Sequence, residues 1–195
     1  MPERTTDEHL LERAGRGDRL AFLELYERHR TAVFRFAYRL LGSVELAEDV
    51  THDCFMALLK KPENFHAGGA SLKSYLFAAV RNLAFKHFRD TGREGALDEM
   101  GNEPQVHEEQ LPLGKLLEEE LSEKVRDAIL SLPPLQREAL ILFEYDGLKL
   151  AEIAELVGTD VGAVKARLYR ARERVKTLLR PYLNSHRQIV TLREA

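Results

Sequence analysis

The chain has 195 residues, 44% of them hydrophobic, a formal net charge of −3 and a single cysteine. This composition supports one moderate core or two small ones and excludes an intramolecular disulfide. It also argues against a protein that binds nucleic acid over its whole surface, because such proteins are usually basic overall.

No run approaches the roughly eighteen apolar residues of a membrane span. The start MPERTTDEHLLER lacks the apolar core of a signal peptide. A cytoplasmic protein with no membrane insertion is expected. Cys54, beside Phe55, reads as a small buried hydrophobe rather than a reactive thiol.

In chain order, Thr5 with Glu8 forms a capping-box pattern ahead of Leu10 and Leu11, and Gly15 and Gly17 close that short helix. Asp18 caps a second helix, in which Phe22, Leu25, Tyr26, His29, Val33, Phe36, Ala37 and Leu40 keep helical spacing up to Gly42. Ser43 caps a third, running to about Lys60. Pro62 and the pair Gly68 and Gly69 break the pattern before Ser71 caps a fourth helix from Leu72 to about Arg89.

From about Thr91 to Glu118, glycines, two prolines and an acidic excess replace the periodicity, and this stretch reads as a linker. Between Glu94 and Glu123 there are ten acidic residues and one lysine. Helical spacing resumes at Leu121, Val125, Ala128, Ile129 and Leu132. Pro133 and Pro134 interrupt it, and Leu135, Ala139, Leu140 and Leu142 restart it before Gly147.

A short apolar segment with Leu150, Ile153, Ala154 and Val157 then stops at Gly158. A longer one follows with Val161, Val164, Leu168, Ala171, Val175 and Leu178 on one face. Pro181 is expected to end it, leaving a tail without period. The expected fold is all-α: two small helical domains, 1–90 and 119–181, joined by an acidic flexible linker at 91–118, with a tail at 182–195. The second domain contains a helix-turn-helix.

Three groups of residues carry chemistry. The last helix holds Lys165, Arg167, Arg170, Arg172, Arg174, Lys176 and Arg180 against only Asp160 and Glu173. A basic helix behind a helix-turn-helix suits a DNA major groove. Lys165, Ala166, Tyr169 and Arg170 are spaced for base edges, and Arg172 and Arg174 for phosphates.

The fourth helix pairs a core stripe of Leu72, Leu76, Ala79, Val80 and Leu83 with a second stripe of Lys73, Phe77, Arg81, Phe85 and Phe88. Cations interleaved with rings suit unpaired DNA, although phenylalanines at such spacing are more often core. In the third helix, Asp49, His52 and Asp53 share a face. Taken alone they read as solvated acidic surface, and no further clustered ligands support zinc or any other metal. No phosphate loop, nucleophile elbow or HExxH motif occurs, so neither catalysis nor a cofactor is expected.

From about Leu10 to Leu179 the chain resembles the extracytoplasmic-function RNA polymerase sigma factors of the sigma-70 family. The resemblance is carried by AEDVTHDCF (Ala47 to Phe55), SYLFAAVRN (Ser74 to Asn82) and LPPLQREALILFEYDGLKLAEIAELVGTDVGAVKARLYRARERV (Leu132 to Val175). It implies a factor that directs core polymerase to promoters. Region two would meet the β′ clamp helices through Asp49, His52 and Asp53. It would open and read the −10 element through the loop Phe65 to Ser71, including His66, and through Lys73, Tyr75, Arg81 and Asn82. Region four would read the −35 element through Lys165, Ala166, Arg167, Tyr169 and Arg170, and the polymerase β subunit and an anti-sigma factor are further implied partners.

The chain departs from the family pattern at His52, where glutamine is usual, and at Tyr75, where tryptophan is usual. Lys165 and Ala166 stand where arginine and serine are common. Two promoter elements about 18 base pairs apart lie roughly 60 Å apart. A linker of about 28 residues reaches at most about 90 Å but as a free coil averages nearer 30 Å, so a large partner must set the separation. The competing readings are a regulator that acts on DNA without polymerase, which would need a dimer seam the sequence lacks, and a protein that sequesters a partner through its acidic faces.

Overall fold

In a computed structural model, residues 5–65, 71–92 and 122–193 are described, with side chains described in the last stretch only over 124–182. Eight α-helices and no strand occur among the described residues. Internal contacts divide the chain into two compact units, Met1–Glu94 and Gly95–Ala195. Of the expected linker at 91–118, residues 93–118 lie outside the described residues, as does His66.

The first unit holds α1 (Asp7–Gly15), α2 (Arg19–Leu41), α3 (Val44–Lys60), a 3-10 turn (Pro62–Asn64) and α4 (Leu72–Asp90). Each helix starts where a short polar side chain takes an otherwise orphaned backbone N–H. Asp18 Oδ1 accepts from the N–H groups of Leu20 and Ala21 at 3.0 and 3.1 Å. Ser43 Oγ accepts from Leu46 N at 3.3 Å, and Ser71 Oγ from Ser74 N at 3.1 Å. Gly42 ends α2 with φ 76, a conformation only glycine adopts at little cost.

At α1 the expected cap is off by one residue. Thr6, not Thr5, caps the helix, accepting from His9 N. Thr5 is held outside it because its carbonyl accepts from Arg28 Nη1 at 2.7 Å. Asp7, in the first turn, binds Arg28 Nη1 at 3.0 Å and His29 Nε2 at 2.7 Å, tying α1 to α2.

Helix α2 packs against α1, α3 and α4. Its buried Leu25, Phe36 and Leu40 meet a core of Leu10, Phe55, Leu58, Leu76, Phe77 and Val80. The rings of Phe36 and Phe77 stack at 4.7 Å, and Tyr26 meets Phe55 edge-on at 4.9 Å. The stripes expected on α4 need correction: Phe77, Phe85 and Phe88 are buried, whereas Ala79 and Leu83 are only half-buried. Three large rings bury more apolar area than an alanine and a leucine, so the aromatic stripe turned inward.

The second unit holds α5 (Ser122–Leu130), α6 (Pro134–Leu140), α7 (Leu150–Val157) and α8 (Val161–Arg193). Pro134 opens α6 at its first position, where a missing N–H costs nothing. Helix α6 widens into a π-helical turn (Ile141–Tyr145), closed by Asp146 N donating to Ile141 O at 3.2 Å. The side chain of Arg137 reaches back to the carbonyls of Leu130 and Leu132, closing the end of α5.

Gly158, at φ 70, turns the chain between α7 and α8, and Asp160 Oδ1 accepts from Ala163 N at 2.8 Å to cap α8. A Cβ at Gly162 would lie 2.9 Å from that carboxylate oxygen. The inner face of α8 carries Val164, Leu168, Ala171, Val175 and Leu179, all buried. Leu178 and Val161, expected on that face, are 41% and 38% exposed. The buried row advances by four, three, four and four residues, and at 100° per residue the fourth step lands on Leu179.

Pro181 does not end α8, which continues to Arg193. A proline removes one backbone hydrogen bond, but its fixed φ near −65° matches a helix, so the residues on either side can remain helical.

Candidate nucleic-acid and partner interfaces

On α3, Asp49, His52 and Asp53 are all exposed. The i, i+3 and i+4 spacing sets them side by side, with Ala47, Thr51, Cys54, Phe55 and Leu58 buried on the other side. Next to this face an open groove of about 530 Å³ runs between α2 and α3, lined by residues including Arg30, Phe34, Arg35, Glu48, Thr51 and His52. Its arginines were not singled out from the sequence. Aromatic and basic residues recurring along α2 at Tyr26, Arg30, Phe34 and Arg35 were the available signal.

Cys54 is buried, and burial, with Asp53 nearby, pushes its thiol up to about 12. That agrees with the inert role expected of it. Among the described residues no cluster of three metal-ligating side chains occurs.

The residues proposed around α4 divide into two groups. Lys73 Nζ lies 5.1 Å from the centroid of Phe77, and Arg81 Cζ lies 4.7 Å from that of Phe85. Each cation covers a buried ring from the solvent side. Tyr75 and Asn82, seven residues apart, share another flank, well round the axis from Lys73 and Arg81. Asn82 is exposed, while Tyr75 is half-buried with its ring edge-on to Phe65 at 5.7 Å. Burial raises the Tyr75 phenol above its ordinary value. Ser71 is engaged as the cap of α4 and by Ser74 Oγ at 2.9 Å.

On α8, Lys165, Tyr169 and Arg174 are exposed, and Ala166, Arg167 and Arg170 are half-buried. Tyr169, an aromatic 38% exposed on a basic surface, is available to a base edge or sugar. Arg172 is turned toward its own unit. Its Nε and Nη2 donate to Glu144 Oε1 at 2.9 and 2.7 Å, and its guanidinium lies 5.1 Å from the ring of Phe143. Neither Phe143 nor Glu144 was singled out from the sequence, because both sit on the π-helical turn, where 3.6-residue periodicity fails.

Residues 25–94 match the family model for sigma-70 region 2, and residues 122–175 that for sigma-70 region 4. The chain is similar to the ECF RNA polymerase sigma-E factor of Escherichia coli, with 30% identity over 94% of this chain and 99% of that protein. It is also similar to the ECF sigma factor BldN of Streptomyces coelicolor, with 34% identity over 88% of this chain, although it spans only 64% of BldN's length. Among solved structures it resembles the sigma factor RpoE of Bartonella quintana, determined with the anti-sigma factor NepR. That likeness has a TM-score of 0.62 and 29% identity, over 82% of this chain and 96% of the other.

Proposed function

The chain belongs to the ECF RNA polymerase sigma factors, which direct promoter-specific initiation of transcription, and from that premise we propose how its surfaces divide the work. Asp49, His52 and Asp53 bind the β′ clamp helices of core polymerase. Phe65, His66, Ser71, Lys73, Tyr75, Arg81 and Asn82 form the −10 surface. Lys165, Ala166, Arg167, Tyr169, Arg170, Arg172 and Arg174 form the −35 surface, with the polymerase β subunit beside region four.

The domains are 1–90 and 119–181, and the acidic stretch 91–118 links them. The role is one of binding rather than catalysis, and the working compartment is the cytoplasm. No helix among the described residues is long and apolar enough to cross a membrane. An anti-sigma factor is a further proposed partner, by analogy with RpoE, which was solved bound to NepR.

The observation that carries this reading is that one chain holds an exposed acidic face on α3 and, in its other unit, an exposed basic helix behind a helix-turn-helix. The test is reconstitution with core polymerase. Specific transcription from promoters with both elements is expected, and it should be lost when Asp49 and Asp53 are both replaced by lysine, with helical content unchanged. Holoenzyme forming at unaltered affinity in that variant would leave α3 as merely solvated surface.

A further inference from the structure

We propose that Arg172 is a positioning residue, which fixes the roll of α8 through Glu144 instead of contacting the DNA backbone. The inference rests on the −35 reading above and reassigns one of its residues. The Glu144 side chain is only 11% exposed, and Arg172 places two donors on one of its oxygens. Moving Arg172 to a phosphate would leave that carboxylate poorly solvated and unpaired, and would bring a negative group toward a polyanion. The stacking of Phe143 beneath the guanidinium holds it in the same place.

The pair also lies where it can act on reading. Lys165, Tyr169, Arg172 and Lys176 follow one another at steps of four, three and four, so they form one flank of α8. The apolar row from Val164 to Leu179 decides which face points inward, but apolar contact is non-directional. Two charge-assisted hydrogen bonds converging on one carboxylate oxygen are directional, and they fix how far the flank bearing Lys165 and Tyr169 is rotated. The pair therefore removes one cation from the flank and sets the aim of the two residues beside it.

The test uses the full chain in holoenzyme, with a promoter library randomised across the −35 element and a fixed −10 element. Glu144→Gln, Arg172→Ala, Arg172→Lys and the double variant Glu144→Gln/Arg172→Ala are compared. Glu144→Gln and Arg172→Ala should each weaken promoter binding about tenfold, the scale of one hydrogen bond to a charged group. Both should also blur preference among −35 sequences. The double variant should lose no more than either single, Arg172→Lys should fail to restore preference, and the slope of log affinity against log salt should stay unchanged.

If Arg172 instead meets a phosphate, Glu144→Gln frees it and tightens binding, Arg172→Lys keeps most of the function, and Arg172→Ala flattens the slope by about 0.9. Any of these results overturns the proposal. Should Arg172→Ala lose helical content by circular dichroism, the shape-conserving Glu144→Gln decides between the two. A wild-type holoenzyme indifferent to the −35 sequence would overturn both this inference and the reading beneath it, whereas a selective wild type with a flattened slope in Arg172→Ala overturns this inference alone.

Discussion

Phe65 meets Tyr75 edge-on, with ring centroids 5.7 Å apart, and so joins the end of the 3-10 turn to the first turn of α4. Tyr75→Phe keeps this contact, and holoenzyme carrying it should open the −10 region as the wild type does. Tyr75→Ala should destabilise the first unit by about 1–2 kcal/mol and reduce opening, as read by permanganate reactivity of unpaired thymines. Equal opening by the alanine and phenylalanine variants would remove Tyr75 from the melting surface.

Phe77 is fully buried beneath Lys73, so the ring and the cation should separate stability from function. Phe77→Ala should cost about 3–5 kcal/mol in chemical denaturation, as large core truncations do. Lys73→Ala should leave the denaturation midpoint almost unchanged and weaken binding to promoter DNA. A fully stable Phe77→Ala protein with lost melting activity would make that ring a stacking platform after all.

On α8, positioning and reading should come apart. Lys165→Ala and Arg170→Ala should each cost about 1–3 kcal/mol and relax preference at one base pair of the −35 element. Arg174, further along the helix, should contact a phosphate, so that Arg174→Ala weakens all sequences alike and flattens the salt slope. Transcription from a library of −35 variants separates these outcomes. Altered preference in Arg174→Ala, with uniform loss in the other two, would reverse this placement of the helix in the groove.

Asp18 gives the first unit a pH dependence. The N–H of Ala21 and the guanidinium of Arg13 hold its carboxyl below the ordinary carboxylate value. A carboxyl whose value is lower in the folded state stabilises that state above its unfolded value of 3.8, and the stabilisation is lost as pH falls through the folded value. The thermal midpoint of wild type should therefore exceed that of Asp18→Asn at neutral pH, and the two should converge in strong acid. A constant gap between the curves would mean that the carboxylate's charge contributes nothing.

Cys54 should resist thiol reagents in the native protein at pH 8, because burial holds its thiol protonated up to about 12. Ellman's reagent should titrate it fully only after unfolding in guanidinium. Rapid labelling of the native chain would show that α3 opens readily.

The features legible in the sequence were those decided by residues close together in the chain. Asp18, Ser43 and Ser71 cap their helices through contacts two or three residues away, and the exposure of Asp49, His52 and Asp53 follows from i, i+3 and i+4 spacing alone. Whatever depended on distant partners was hidden. The cap of α1 moved to Thr6 because Arg28, 23 residues on, takes the carbonyl of Thr5. The rings of α4 turned inward because Phe36 on α2 offered Phe77 a stacking surface. Arg172 and Glu144 are 28 residues apart, and nothing in a helical wheel joins them.

The π-helical turn at Ile141–Tyr145 holds one residue more than an α-helical turn would need. Were the same five residues wound as ordinary α-helix, the chain beyond the turn would rotate by about 100°. Glu144 would then swing away from Arg172, although every side chain on α8 kept its identity. The wide winding of those five residues thus works as an angular setting for the carboxylate that orients α8, and substitutions that favour ordinary α-helical winding there should alter promoter choice as would changes in the amino acids proposed to touch the bases.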